Sequence, residues 1–314
     1  MYLSYYGLKE EPFRLTPDPK FLQLAEPHRD ALTMLVRGVL ERRGLMVLTG
    51  AIGTGKTTIL NGLLSVLARR EPRSPLPTAL LVNPRLTADE LLEMLLVEFE
   101  VSGNSTSRAA RLIALQRLLF STLANRGTSL LVVDEAHLLS KEVLEEIRLL
   151  MNMESYGEKL LQVVLCGQPE LAALLNEPEV RALRQRIAQR AVLRALSPSE
   201  MRMYVRERMR TAGLDQALPF TASALDAVYG CSGGVPRLIN LICDTCLRLG
   251  AEGQRRQIGD DLVEDAAAMH ALPIHGDSGE CEADARKNEE LHPAPLPLLG
   301  GLSQVVKATG RGEL

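Results

Sequence analysis

The run Gly50-Ala51-Ile52-Gly53-Thr54-Gly55-Lys56-Thr57 has the spacing G-x4-G-K-[ST], and each residue type in it has a use in holding phosphate. Glycine backbone can turn its N–H groups inward around anionic oxygens. A lysine can reach β- and γ-phosphates, and a threonine hydroxyl can ligate Mg²⁺. The run follows the apolar segment 45–49 and precedes a helical pattern, which is the context such a loop requires. Residues Gly50 to Thr58 are therefore the expected nucleotide-binding set. Lys56 is the only lysine between Lys20 and Lys141, in a chain with 29 arginines and 7 lysines.

A second constellation is Leu130-Leu-Val-Val-Asp134-Glu135-Ala-His137, four apolar residues ending in two acids. Acids at the C-terminal tip of a buried strand stand where open α/β sheets bind ligands. Asp134 is expected to hold Mg²⁺ and Glu135 to orient and polarise an attacking water; His137 reads as a turn residue. The run Leu165-Cys-Gly167-Gln168-Pro169 ends the next strand, where Gln168 can sense a γ-phosphate. Residues 181–210 hold nine arginines against Glu200 and Glu207, a local charge of +7. One arginine there can stabilise transition-state charge across a subunit boundary. Several together can meet nucleic-acid phosphates. Gly233-Gly234-Val-Pro236-Arg237 opens a later helix and displays Arg237 at its N-terminal end, within reach of the phosphates.

These groups need a scaffold, and the pattern supplies one. Strands 45–49, 79–82, 130–133, 160–165 and 191–196 alternate with helices 27–42, 59–68, 88–99, 108–125 and 141–151, which argues a mainly parallel sheet covered on both faces. Thr87, Ser140 and Ser197 read as helix caps. After residue 196 only helices follow, over 198–211, 221–229, 236–249 and 260–271. The expected organisation is an N-terminal strap (1–25), a nucleotide-binding core (26–196), a helical lid (197–272) and a disordered tail (273–314). The strap holds five of eleven aromatics, and it is expected to pack onto the domain that follows it or to touch a bound base.

Composition excludes several classes. A chain of 314 residues, 46% hydrophobic and 24% charged, is globular in type. Residues 1–276 carry 32 basic and 32 acidic side chains, and the net −3 sits in the tail. A uniformly basic nucleic-acid protein is excluded, a local basic contact is not. Five scattered cysteines do not read as a disulfide framework, and Cys243 and Cys246 read as core residues. Neither a signal peptide nor a run of ~20 apolar residues is present, so a cytoplasmic location is expected. Asp134-Glu-Ala-His137 invites a helicase reading, but no second motor domain follows.

In this order, with Tyr6-Gly-Leu-Lys-Glu-Glu-Pro-Phe13, Thr16-Pro-Asp-Pro19, His28-Arg-Asp-Ala-Leu32 and Gly167-Gln-Pro-Glu-Leu171, the motifs resemble the AAA+ ATPases of the ExeA/GspA type over roughly residues 1–270. This is the A component of general secretion pathways, with relatives in pilus and exopolysaccharide systems. The resemblance implies a P-loop NTPase (AAA+) three-layer α/β fold with a parallel sheet of order 5-1-4-3-2 and an all-α lid. It implies ATP with Mg²⁺, hydrolysis, and self-association. Catalytic roles then fall on Lys56, Glu135, Gln168, Arg186 and Arg237, with metal ligation by Thr57 and Asp134. Arg186 is the first candidate for the finger and Arg184 the second, and Arg237 resembles the lid sensor arginine. Secretion-type members carry a membrane helix and a peptidoglycan-binding domain beyond the ATPase, whereas here a polar tail follows. The expectation is a protein peripheral to the inner membrane, acting through membrane-apparatus or pilus-assembly partners. A DNA-associated regulator of the transposition type is the alternative.

Overall fold

Three strands of this chain are buried at every position, and a strand of that kind is stable only when helices cover both of its faces. β1 (Leu45–Gly50), β3 (Ser129–Val133) and β4 (Leu161–Gly167) are buried along their whole length. With β2 (Thr78–Leu81) and β5 (Ile187–Leu193) they form one parallel sheet of order β2-β3-β4-β1-β5. Numbered along the chain this is 5-1-4-3-2, the expected order. The computed structural model describes residues 2–16, 25–70, 76–82, 84–101, 107–155 and 157–272. The residues expected to form a disordered tail lie outside that set, as does Phe21.

Helices in chain order are α1 (Tyr2–Tyr6), α2 (Glu26–Leu40), α3 (Lys56–Arg70), α4 (Ala88–Glu98), α5 (Arg108–Ala124), α6 (Lys141–Leu150), α7 (Glu170–Asn176), α8 (Arg181–Arg184), α9 (Pro198–Thr211), α10 (Ala222–Ser232), α11 (Pro236–Glu252) and α12 (Asp260–Met269). Capping chemistry fixes several starts. Thr87 and Ser197 each accept from the backbone N–H three residues on, and Glu90 and Glu200 reach back to complete capping boxes. One sheet face packs on α2 and α3 through Leu35, Val39, Ile59 and Leu63 against Met46, Leu48, Val132 and Val164. The other buries Val47, Leu131, Val133 and Val163 under α4, α5 and α6. A third core joins α9 to α12. No helix among the described residues is long and apolar enough to cross a membrane.

Three expectations need correction. The last strand runs over Ile187–Leu193, not 191–196. In this edge strand burial alternates instead of being continuous: Arg190 faces outward and is exposed, whereas Gln189 lies on the partly buried face beside Gly38 of α2. Helix α3 begins at Lys56, three residues before its apolar periodicity starts, because the phosphate loop runs directly into its first turn. The strap is not irregular throughout, and it does not pack onto the element that follows it. It starts with α1, and Tyr2, Tyr6, Leu8 and Phe13 are buried among α9 to α12. The Tyr2 hydroxyl donates to Asp244 (2.8 Å) and that of Tyr6 to the Arg255 carbonyl (2.8 Å). Arg208 Nε donates to the Pro12 carbonyl (2.6 Å). Tyr2, Tyr6 and Phe13 are structural anchors of the helical bundle.

Candidate functional site

In a parallel sheet the C-terminal ends of all strands lie along one edge. Thr49 is level with Gly167, and Val133 with Leu165, so Gly50, Asp134, Glu135 and Gln168 emerge side by side. Gly53 and Gly55 take φ of +79° and +100°. At Gly55 a Cβ would also stand 3.0 Å from the His28 ring, so only glycine fits there. Lys56 is buried, and its ammonium donates to the carbonyls of Gly50 (2.8 Å) and Ala51 (3.1 Å). The loop thus holds its own lysine across the mouth of the N-terminus of α3, where unpaired N–H groups attract anions. Ile52 stands out from the loop into solvent, and the Thr54 hydroxyl donates to the Ala51 carbonyl (2.8 Å).

The Thr57 hydroxyl donates to Asp134 Oδ2 (3.0 Å), while Asp134 Oδ1 accepts from the Glu135 N–H (2.9 Å). A hydroxyl and a carboxylate in contact are hard oxygen donors of the kind Mg²⁺ takes, so this pair fits the ion. Asp134 is 5% exposed. Burial, and then the Asp134 carboxylate, push the neighbouring Cys166 thiol far up, so that cysteine stays protonated. Glu135 adopts φ +52°, an uncommon conformation for a side-chain-bearing residue, and turns the chain sharply after β3. Its Oε2 lies 3.4 Å from Gln168 Nε2 and 3.4 Å from His137 Nδ1. His137 and Gln168 also meet (Nε2 to Nε2, 3.3 Å). His137, read from sequence as a turn residue, therefore stands against the two polar side chains at the strand tips.

The bundle meets the loop through the start of α11. The Arg237 N–H donates to the Gly53 carbonyl (3.2 Å), and Val235 and Arg237 pack over Gly53. Gly234 takes φ +76°, and a Cβ on it would stand 2.0 Å from the Leu196 carbonyl oxygen. Only glycine lets α11 approach the segment leaving β5 so closely.

Lys56, Thr57, Asp134, Glu135, Gln168 and Arg237 are thus brought to one edge. Arg186 and Arg184 are not. They precede β5, whose seven residues span about 20 Å at ~3.3 Å each, so they lie toward the opposite end of the sheet. Arg186 Nη1 is buried without a hydrogen-bond partner among the described residues, and Arg184 reaches Asn176 (3.3 Å). Much of the arginine-rich stretch is already engaged: Arg194 with Glu200 (2.7 Å), Arg202 with Asp226, Arg210 with Glu207 (3.0 Å), and Arg208 with Pro12 and Tyr204. Paired with Arg194, Glu200 has a pKa lowered to about 2.

One site neighbour carries no spacing signal. His28, in the first turn of α2, places Nε2 2.7 Å from the Thr54 carbonyl, and burial pushes its pKa below the ordinary 6.5. It lies 26 residues from its contact, and only the His28-Arg-Asp-Ala-Leu32 resemblance draws attention to it.

Comparison with known proteins agrees with this fold. A family model described as an AAA domain matches residues 39–175. General secretion pathway protein A of Aeromonas hydrophila is 41% identical over 264 residues, covering 83% of this chain and 47% of that protein. The chain thus spans about half the length of that curated relative. Among solved structures, Drosophila ORC bound to DNA has a TM-score of 0.64 at 18% identity, with 90% of this chain and 68% of that chain covered. The Holliday junction branch migration motor RuvB of Thermotoga maritima has a TM-score of 0.51 at 17% identity, with 79% and 73% covered. On the matched domain, the 41% identity and the sheet order, the chain belongs to the AAA+ P-loop ATPases, of the type represented by general secretion pathway protein A.

Proposed function

We propose that this ATPase energises or regulates assembly of a secretion, pilus or exopolysaccharide-export apparatus, as a homo-oligomer working from the cytoplasm at the periphery of the inner membrane. The observation that carries the reading is the 41% identity to general secretion pathway protein A. In this reading the N–H groups of Gly53, Gly55, Lys56, Thr57 and Thr58 surround the phosphates of ATP, and Lys56 turns from the loop carbonyls to the β- and γ-phosphates. Thr57 and Asp134 hold Mg²⁺, which when bound offsets the charge that develops on the phosphate oxygens. Glu135 accepts a hydrogen bond from the attacking water and aims it in line. Gln168 touches Glu135 and is sited to sense the γ-phosphate. Arg237, at the start of α11, meets the phosphates from the bundle side, while Arg186 acts on the site of a neighbouring copy.

The experiment replaces the wild-type chain in its host by Lys56→Ala and measures the assembled apparatus in the membrane fraction. Loss of assembly is expected. Full assembly without nucleotide binding would overturn the reading. DNA contact is weaker as a reading, because Arg194, Arg202 and Arg210 are ion-paired within the chain. A salt-dependent shift of duplex DNA by the ATP-bound protein, with assembly intact in Lys56→Ala, would establish it instead.

A further inference from the structure

His28 has no role in the chemistry above, yet it is buried against the loop that holds the phosphates. Its residue is 6% exposed, on a helix fixed in the core by Leu32, Leu35, Val36 and Val39. Nε2 lies 2.7 Å from the Thr54 carbonyl oxygen, while Nδ1 is buried with no partner among the described residues. A carbonyl only accepts, so the proton must sit on Nε2, and the neutral ring donates to Thr54. The ring also fills the space over Gly55, where a Cβ would come within 3.0 Å of Nε2 and 3.3 Å of Cδ2.

A trans peptide directs its C=O and its N–H to opposite sides of the chain. The carbonyl of Thr54 and the N–H of Gly55 belong to one such plane. Fixing the carbonyl outward on His28 therefore fixes the Gly55 N–H in the opposite direction, into the concavity of the loop. We infer that His28 is a positioning residue of the phosphate loop, one that pins the Thr54–Gly55 peptide so that its N–H is aimed at phosphate before nucleotide arrives. Glycine at φ +100° would otherwise let this peptide turn freely. Lys56 and the helix terminus attract the anion, and His28 acts through Gly55 to shape what the anion meets. The inference rests on the loop being the nucleotide site.

The test uses the full chain and two probes, ADP and inorganic tripolyphosphate, each displacing a fluorescent ADP analogue in the presence of Mg²⁺. His28→Leu removes the donor, and His28→Gln restores an N–H donor near the position of Nε2. Expected is a loss of about tenfold for both probes in His28→Leu, as for one hydrogen bond to a charged group, with recovery to within about twofold in His28→Gln. Equal loss for the two probes assigns the effect to phosphate. Loss for ADP alone would overturn the inference and make the ring a base contact. Unchanged binding in His28→Leu, or failure of His28→Gln to recover, would also overturn it. If His28→Leu does not fold, His28→Asn, whose amide is one methylene too short to reach Thr54, takes its place against His28→Gln with the same outcomes. Lys56→Ala is the control. A wild-type chain that binds neither probe, and is indistinguishable from Lys56→Ala, sinks the nucleotide reading and this inference with it.

Discussion

At the scale of single residues, Lys56 and Glu135 carry separable parts of the reaction. The Lys56 ammonium is buried and, among the described residues, bonded to the carbonyls of Gly50 and Ala51. Those carbonyls can release it to a stronger acceptor, because a phosphate oxygen is charged and a carbonyl is not. Lys56→Ala should weaken ATP binding by about 100-fold in equilibrium titration, as expected when a hydrogen bond to a charged phosphate oxygen is lost. Glu135→Gln should behave differently. Its side chain is 38% exposed at the strand tip and makes only long contacts at 3.4 Å, so the amide is accommodated and ATP still binds. Turnover should fall by about 10²–10⁴, the range for a lost general base, in single-turnover hydrolysis. Wild-type rates in Glu135→Gln would remove that assignment. His28 adds a pH effect. Its folded pKa lies below the unfolded value of 6.5, with burial as the main cause. Between the two values the unfolded chain binds a proton that the folded chain refuses, so stability is full above about pH 6.5 and falls below it. The melting temperature of the wild type should drop more steeply than that of His28→Gln between about pH 7.5 and 5.5. Parallel curves would mean that His28 does not titrate in this window.

At the scale of elements, the chain's first residues belong with its last described helices. Phe13 is 1% exposed and meets Phe220 edge-on with ring centroids 6.4 Å apart. Lys9 N–H donates to the Ala212 carbonyl (2.8 Å) where α9 ends. Phe13→Ala should cost about 3–5 kcal/mol, as for a fully buried ring, measured by denaturant unfolding. A loss under about 1 kcal/mol would mean that the strap only rests on the bundle. Gly234→Ala should be worse than a surface change for two reasons. It forces a left-handed φ on a residue with a Cβ, and it sets that Cβ 2.0 Å from a backbone oxygen. The shift this demands separates α11 from Leu196 and pulls Arg237 off Gly53, so ADP affinity and thermal stability should fall together. This is also the scale at which the sequence was an incomplete guide. The loop 50–57 and the acids 134–135 are contiguous, so spacing alone reveals them. Thr87, Ser140 and Ser197 cap helices through contacts three residues away, and they too are legible. The destination of the strap depends on pairs such as Tyr2 with Asp244, 242 residues apart, and the contact of His28 with Thr54 joins separate elements. The apolar pattern places β5 too late because the polar pair Gln189 and Arg190 interrupts it, Arg190 on the open face and Gln189 on the partly buried one.

At the scale of the whole molecule, Arg186 separates a lone chain from an assembly. It stands just before β5, about 20 Å along the sheet from the edge that carries Lys56 and Glu135. A guanidinium on one side chain cannot close that gap within one copy. Its Nη1 has no hydrogen-bond partner among the described residues, and an unsatisfied buried donor carries a free-energy cost that a partner's anion would relieve. If Arg186 serves the site of a neighbour, the specific activity of the wild type should rise with protein concentration and then level off, while Arg186→Ala stays flat. An arginine finger contributes about 10³–10⁵ in rate, so the two curves should diverge by orders of magnitude at the plateau. Mixing supplies the decisive arm. Arg186→Ala keeps an intact Glu135, and Glu135→Gln keeps an intact Arg186, so each lacks what the other provides. Two variants that are inactive alone should recover hydrolysis when combined, because in mixed assemblies some sites have Glu135 on one copy and Arg186 on the next. No recovery at any ratio, with both variants shown by sedimentation to assemble, would exclude Arg186 as the shared group. The same complementation repeated with Arg184→Ala would then test the remaining candidate on α8.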